Sequence, residues 1–167
     1  IITPGIFKEE IIKAVKNLGD KFDQIIIGGY PPMIKDMVDD ALLKDIEWGK
    51  YNIGFIFSAE SFTETFRNYI IEKCKLKNPY TSTLNHYGSV DLGTMAHETP
   101  ISIYLRRFLI NNSKLYSDFF GDLFRLPTLA QFNPEQFYFE EQSEQLYCSS
   151  YSGLPLFRYD LKDKGGI

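Results

Sequence analysis

Apolar residues recur along this chain in two rhythms, one of about 3.6 residues and one of unbroken or alternating short runs. From Phe7 to Leu18 the spacing is helical. Phe7, Ile11, Ile12 and Val15 share a face, Lys and Glu fill the other, and Leu18-Gly19 is a stop signal. Gln24-Ile25-Ile26-Ile27 is a β-branched run closed by Gly28-Gly29, and a run without alternation suits a strand covered on both faces. Gly28-Gly29-Tyr30-Pro31-Pro32 reads as a turn, because proline is tolerated only where a helix begins. A helix is expected from about Pro32 to Leu43, with Met33, Met37, Val38 and Leu42 inside.

The same unit then returns. Asn52 to Phe57 is a second strand, Ser58-Ala59-Glu60-Ser61 a loop, and Phe62 to Cys74 a helix with Phe66, Tyr69, Ile70 and Ile71 as its apolar positions. A third strand runs from about Tyr80 to His86. Three strand–loop–helix units in series predict an α/β fold with a parallel sheet and helices on its faces. Ligands of such sheets collect at the carboxyl ends of the strands. The loops at Gly28-Gly29-Tyr30, Ser58-Ala59-Glu60 and Tyr87-Gly88-Ser89 are therefore expected to face one crevice. After Pro100 a helix is predicted over Ile101 to Ile110, with Ile103, Leu105, Phe108 and Leu109 inside and Arg106-Arg107 outside. Leu115 to Leu123 is a short aromatic-rich helix or turn.

The texture changes near Leu126. Thr128 to Phe132, Gln136 to Glu140, Gln145 to Ser149 and Leu156 to Tyr159 are short runs separated by turn residues, which read as antiparallel strands. Residues 1–125 thus form an α/β part and residues 126–167 a small antiparallel β part. The 14 Phe and 11 Tyr give both parts material for a core. Those clustered at residues 116–139 read as packing.

Charge and cysteine usage narrow the classes. The net charge is −4, with no basic stripe, which argues against nucleic acid as a main partner. No apolar run is long enough for a membrane span, and Ile1-Ile2-Thr3-Pro4-Gly5 lacks the marks of a secretory signal. Cys74 and Cys148 form no CxxC pair, and His86 and His97 sit near neither, so a zinc site is not expected. Two isolated thiols suit a reduced, cytoplasmic protein. Cys74 reads as core, and neither histidine has a partner that makes it catalytic. The chain does not begin with Met and stops at Lys164-Gly165-Gly166-Ile167, so it reads as an internal piece of a longer protein.

Asn85-His86-Tyr87-Gly88-Ser89-Val90-Asp91 is the stretch richest in chemistry. An aromatic ring can cover a flat base, and glycine lets a backbone approach a ligand. A hydroxyl can bond an oxyanion, and a carboxylate can hold magnesium. Each residue also has a plain structural reading. Tyr87 can be a packed tyrosine, Ser89 a turn serine, Asp91 a helix N-cap, Glu60 a helix start and Asp163 a solvated charge.

Four segments in order resemble the adenylate-forming (AMP-binding) enzymes, and within them the phenylacetate–coenzyme A ligase group. They are Gly28-Gly29-Tyr30-Pro31-Pro32, Phe57-Ser58-Ala59-Glu60, Tyr87-Gly88-Ser89-Val90-Asp91 and Pro155-Leu156-Phe157-Arg158-Tyr159-Asp160-Leu161-Lys162-Asp163. The resemblance implies a two-step reaction: a carboxylic acid attacks the α-phosphate of ATP to give an acyl-adenylate, and coenzyme A then takes the acyl group. By the same resemblance Tyr87 stacks on adenine beside Gly88, and Ser58, Ala59 and Glu60 border the base. Asp163 accepts the ribose hydroxyls of the AMP moiety. Ser89 bonds a phosphate or the acyl carboxylate, and Asp91 holds Mg2+. Gly28, Gly29, Tyr30, Gly93 and Thr94 line the acyl pocket.

Two positions depart from the family's pattern. Val90 stands where Thr or Ser is usual, and Asp91 replaces the usual Glu, one methylene longer. The family's phosphate loop is expected upstream of Ile1 and its lid, with the catalytic lysine, beyond Ile167. The chain alone is therefore expected not to turn over ATP. Two other readings stay open: a nucleotide-binding scaffold that has lost catalysis, and an unrelated α/β nucleotide-binding transferase domain. The identity of the acid, the acceptor thiol and dimerisation are also open.

Overall fold

Residues 1–43, 46–121, 127–151 and 154–167 are described in a computed structural model of the chain. It divides into two compact units, Ile1–Leu84 and Asn85–Ile167. The fold is α/β. It contains a parallel strand pair that continues into antiparallel strands, and a separate three-stranded antiparallel sheet.

In the first unit, helix α1 (Lys8–Leu18) buries Ile11, Ile12 and Val15, as its period predicts. Phe7 does not join them: it is the N-cap residue, with non-helical backbone, and 69% exposed. Strand β1 (Ile25–Gly29) pairs in parallel with β2 (Ile53–Phe57), in register from Ile25 with Ile53 to Gly29 with Phe57. Helix α2 (Pro31–Leu43) lies between them in sequence and starts on Pro31, whose missing N–H costs nothing at a first helical position. It buries Ile34, Met37, Val38 and Ala41 completely, with Met33 packed at the edge of the core. The side chain of Leu42 falls outside the described residues. Helix α3 (Glu64–Cys74) is capped by Thr63, whose side chain accepts the Phe66 N–H.

β1 is not covered on both faces. Ile27 is buried in the core with α1 and α2, whereas Ile26 is 59% exposed, because no described element lies over the face it shares with Gly28. β2 is the strand buried at both faces. Helix α3, in turn, buries charge. Arg67 is wholly buried and donates to both carboxylate oxygens of Glu64, at 3.0 and 2.9 Å, and to the backbone and side-chain oxygens of Thr83. Its guanidinium also lies 4.8 Å from the Phe62 ring centre. Phe66 and Tyr69, read as inner positions, sit at the margin of this core.

Strand β3 (Thr83–Ser89) leads into the second unit. It is followed by strand β4 (Gly93–His97), antiparallel to it, and not by a helix, so the third strand–loop–helix unit of the sequence reading is a hairpin. Two glycines permit it. A Cβ on Gly88 would strike the Gly93 carbonyl, and Gly93 itself has φ +70. Ser89 Oγ accepts the Leu92 N–H at 3.1 Å and closes the turn. The helix comes next: α4 (Pro100–Ile110) starts from a Thr99–Ser102 capping box. Its inner face is met in part: Ile103 and Leu109 are buried as expected. Arg106 is 1% exposed and pairs with the buried Glu98, while Leu105 and Phe108 face outward. Glu98 Oε2 also accepts the Asn85 N–H, so the carboxylate draws its arginine inward.

Helix α5 (Ser113–Phe120) and strand β5 (Gln131–Phe132, paired with β4) follow; Leu123 and the change of texture at Leu126 lie outside the described residues. Strands β6 (Phe137–Gln142), β7 (Gln145–Ser150) and β8 (Leu156–Lys164) make the antiparallel sheet that the alternating runs predict. Gly153 of the expected turn before β8 is not among the described residues. Leu92, Met95, Phe137, Phe139 and Cys148 form the second core, with Tyr87, Tyr159 and Leu161 packed against it. Among the described residues no helix is long and apolar enough to cross a membrane.

Candidate functional site

The sequence-selected residues fall into two groups, one in each unit. In the first unit, Gly28 and Gly29 end β1, and Ser58, Ala59 and Glu60 follow β2. The Ser58 N–H donates to the Gly29 carbonyl at 3.2 Å, and the Tyr30 hydroxyl donates to Glu60 Oε1 at 3.0 Å. That hydrogen bond raises the Tyr30 pKa. Ala59 has φ 71, a left-handed conformation that a residue with a Cβ adopts at a cost. The loops after the two parallel strands are thus tied to each other by a backbone bond and a side-chain bond.

In the second unit, Tyr87 lies within β3 and Asp91 in the turn between β3 and β4. Gly93 and Thr94 begin β4, where they pair with Ser89 and Gly88. Asp163 lies near the end of β8. The Tyr87 hydroxyl donates to Asp163 Oδ2 at 2.6 Å across 76 positions of sequence. The Tyr87 ring packs against the second core, tilted 30° to Phe139 with centres 6.4 Å apart. Burial, and then the bond to Asp163, push its phenol well above the usual tyrosine range.

A second bond joins the same two segments in the opposite sense. The Tyr159 hydroxyl, on β8, donates to the Asp91 carboxylate on the hairpin turn. This bond raises the Tyr159 pKa. The hairpin and β8 therefore exchange two tyrosine–aspartate bonds, each supplying one phenol and one carboxylate. The sequence alone gives Tyr159 no role of its own. Lys162 has φ 62 and the β7–β8 register slips between Asp160 and Lys164, so alternation along β8 is no guide to which residues meet the hairpin.

The remaining selected residues stand apart from this crossing. Val90, where the family carries a hydroxyl, is fully exposed on the turn. Glu60 lies before α3, outside the helix. His97 Nδ1 bonds the Glu98 carbonyl at 2.9 Å, which gives that ring a structural partner. Cys74 and Cys148 are both buried free thiols. Among the described residues no three His, Cys, Asp or Glu side chains gather as a metal cluster. No protein-family model matches this chain, and a comparison with curated proteins gives no match.

Proposed function

We propose that the second unit carries the nucleotide-binding part of an ATP-dependent carboxylate–coenzyme A ligase. The observation that carries this is the 2.6 Å bond between Tyr87 and Asp163, the two residues that the resemblance assigns to the base and the sugar of one nucleotide. A nucleoside presents a flat ring and a vicinal diol a few ångströms apart. Tyr87 offers an aromatic face held by its packing, and a carboxylate beside it has two acceptor oxygens suited to a diol.

In this reading an oxygen of the acid's carboxylate attacks the α-phosphorus of ATP and pyrophosphate leaves. The sulfur of coenzyme A then takes the acyl group and AMP leaves. The protein's own work is to position two anions and to oppose the charge that develops. Ser89 accepts the Leu92 N–H at its oxygen and keeps its own hydrogen to donate to a phosphate or acyl oxygen. Magnesium is commonly held by one or two carboxylates together with substrate phosphates, so an exposed turn carboxylate such as Asp91 fits it. When bound there, the ion would neutralise phosphate charge.

The exposed Val90 favours a second reading, in which nucleotide binds without adenylation. Val90→Thr, assayed in a protein that also carries the phosphate loop and the lid, separates the two: a gain in acid-dependent pyrophosphate release supports the ligase, and no change supports the scaffold.

Calorimetric titration of the chain with AMP tests nucleotide binding. Saturable binding is expected, weakened about tenfold or more by Tyr87→Ala, the size of a base–aromatic stacking term, and similarly by Asp163→Ala. Unchanged affinity in both variants, or no binding by the folded chain, overturns the reading.

A further inference from the structure

We infer that Tyr159 is the positioning residue for Asp91, fixing the short carboxylate that faces the cation of the bound nucleotide; this rests on the nucleotide-site reading above. Asp91 stands on a hairpin turn and is exposed. Such a side chain samples several rotamers unless something holds it. Among the described residues, the Tyr159 phenol is the group that does so.

Tyr159 is itself held from several directions. Its ring packs against the core of Leu92, Met95, Phe137, Phe139 and Cys148. Its backbone pairs with Cys148 beside an irregularity in the β7–β8 register. The preceding residue, Arg158, has φ 49, and its N–H donates to Ser149 Oγ at 3.0 Å. The Arg158 side chain pairs with Glu140 at 3.3 Å and lies 5.4 Å from the Tyr147 ring centre. A bulge of this kind re-aims a side chain, and here it is pinned on both sides. The phenol takes one carboxylate oxygen of Asp91 and leaves the other for a ligand.

A hydrogen-bonded carboxylate has its direction set by its partner, as outer partners do for metal-binding carboxylates. The crossed bond from Tyr87 to Asp163 ties the same two segments and keeps the turn and β8 in register.

Tyr159→Phe removes the hydrogen and keeps the ring in its packing. The test titrates the chain with AMP without metal, and with a non-hydrolysable ATP analogue with and without Mg2+. The expected result is AMP affinity unchanged within about twofold and a loss of about tenfold or more in the magnesium-dependent gain in analogue affinity, the usual size for an outer partner. Asp91→Asn should lose the same gain, and the double variant should lose no more, because the two residues act as one unit. A packing role would instead lower the melting temperature and AMP affinity together. A full magnesium-dependent gain in Tyr159→Phe overturns the inference. If Asp91→Asn has lost that gain, the nucleotide reading stands; if Asp91→Asn also keeps it, the cation role of Asp91 falls too. AMP binding that is absent, or indifferent to Tyr87→Ala and Asp163→Ala, overturns both.

Discussion

Arg67 shows how much one buried charge can decide. It is fully buried, and its partners include a carboxylate and the oxygens of Thr83. Truncating one member of such a pair strands the other charge away from water, which costs more than the pair itself contributes. Arg67→Met should lower stability by about 3–5 kcal/mol, read as a fall in the urea midpoint. Arg67→Met with Glu64→Leu should recover most of that loss, since an apolar pair leaves no stranded charge. Equal loss in the single and double variants would refute the account. The apolar spacing of this helix gives Glu64 and Arg67 no inner role. Only Thr83, 16 positions away, reveals otherwise.

Among the elements, the β6–β7 hairpin carries a testable strain. Its two turn residues, Ser143 and Glu144, have φ 53 and 65, the conformation of a type I′ turn, and neither is glycine. Glu144→Gly should raise the unfolding free energy by about 0.5–1 kcal/mol by removing the left-handed penalty. The ion pair it gives up, Lys164 with Glu144, is exposed on both sides and contributes little. A lower urea midpoint in that variant would contradict this. The strands flanking the turn were legible from their alternation, and so was helix α4. Its inner face was legible in part: Ile103 and Leu109 are buried as read, but of the neighbours Leu105 and Arg106 it is the arginine that is buried. The buried Glu98 settled which one turned inward.

For the chain as a whole, burial of weak acids sets a limit at alkaline pH. Burial pushes Cys148 up to about 11, and burial with the charge of Asp39 pushes Cys74 up to about 12, from an ordinary 9.0. Tyr87 and Tyr159 are raised from 10.0, the first mainly by burial and the second by its bond to Asp91. Below those ordinary values both folded and unfolded chains keep the protons, and the full stability is present. Above them the unfolded chain ionises first, so stability falls as pH rises. The urea midpoint should hold to about pH 9 and decline between pH 9 and 11, and Tyr87→Phe should flatten part of that decline. A midpoint that rises over this range would refute the assignment.

The local pattern was sufficient for the α/β class, for α1, α2 and the parallel pair β1–β2, and for the run of short antiparallel strands. Those features arise between residues a few positions apart, where period, proline and glycine act directly. It also marked Tyr87 and Asp91 as candidates by residue type, and the family resemblance added Asp163. It did not contain the hairpin after β3, the inward turn of Arg106, the exposure of Ile26 or the bond from Tyr159 to Asp91. The first two turn on partners a few positions away that the apolar period does not register, Gly93 and Ser89 for the hairpin and Glu98 for Arg106, and the last two on what lies across a sheet. The two tyrosine–aspartate bonds span 76 and 68 positions, and only folding brings their ends together.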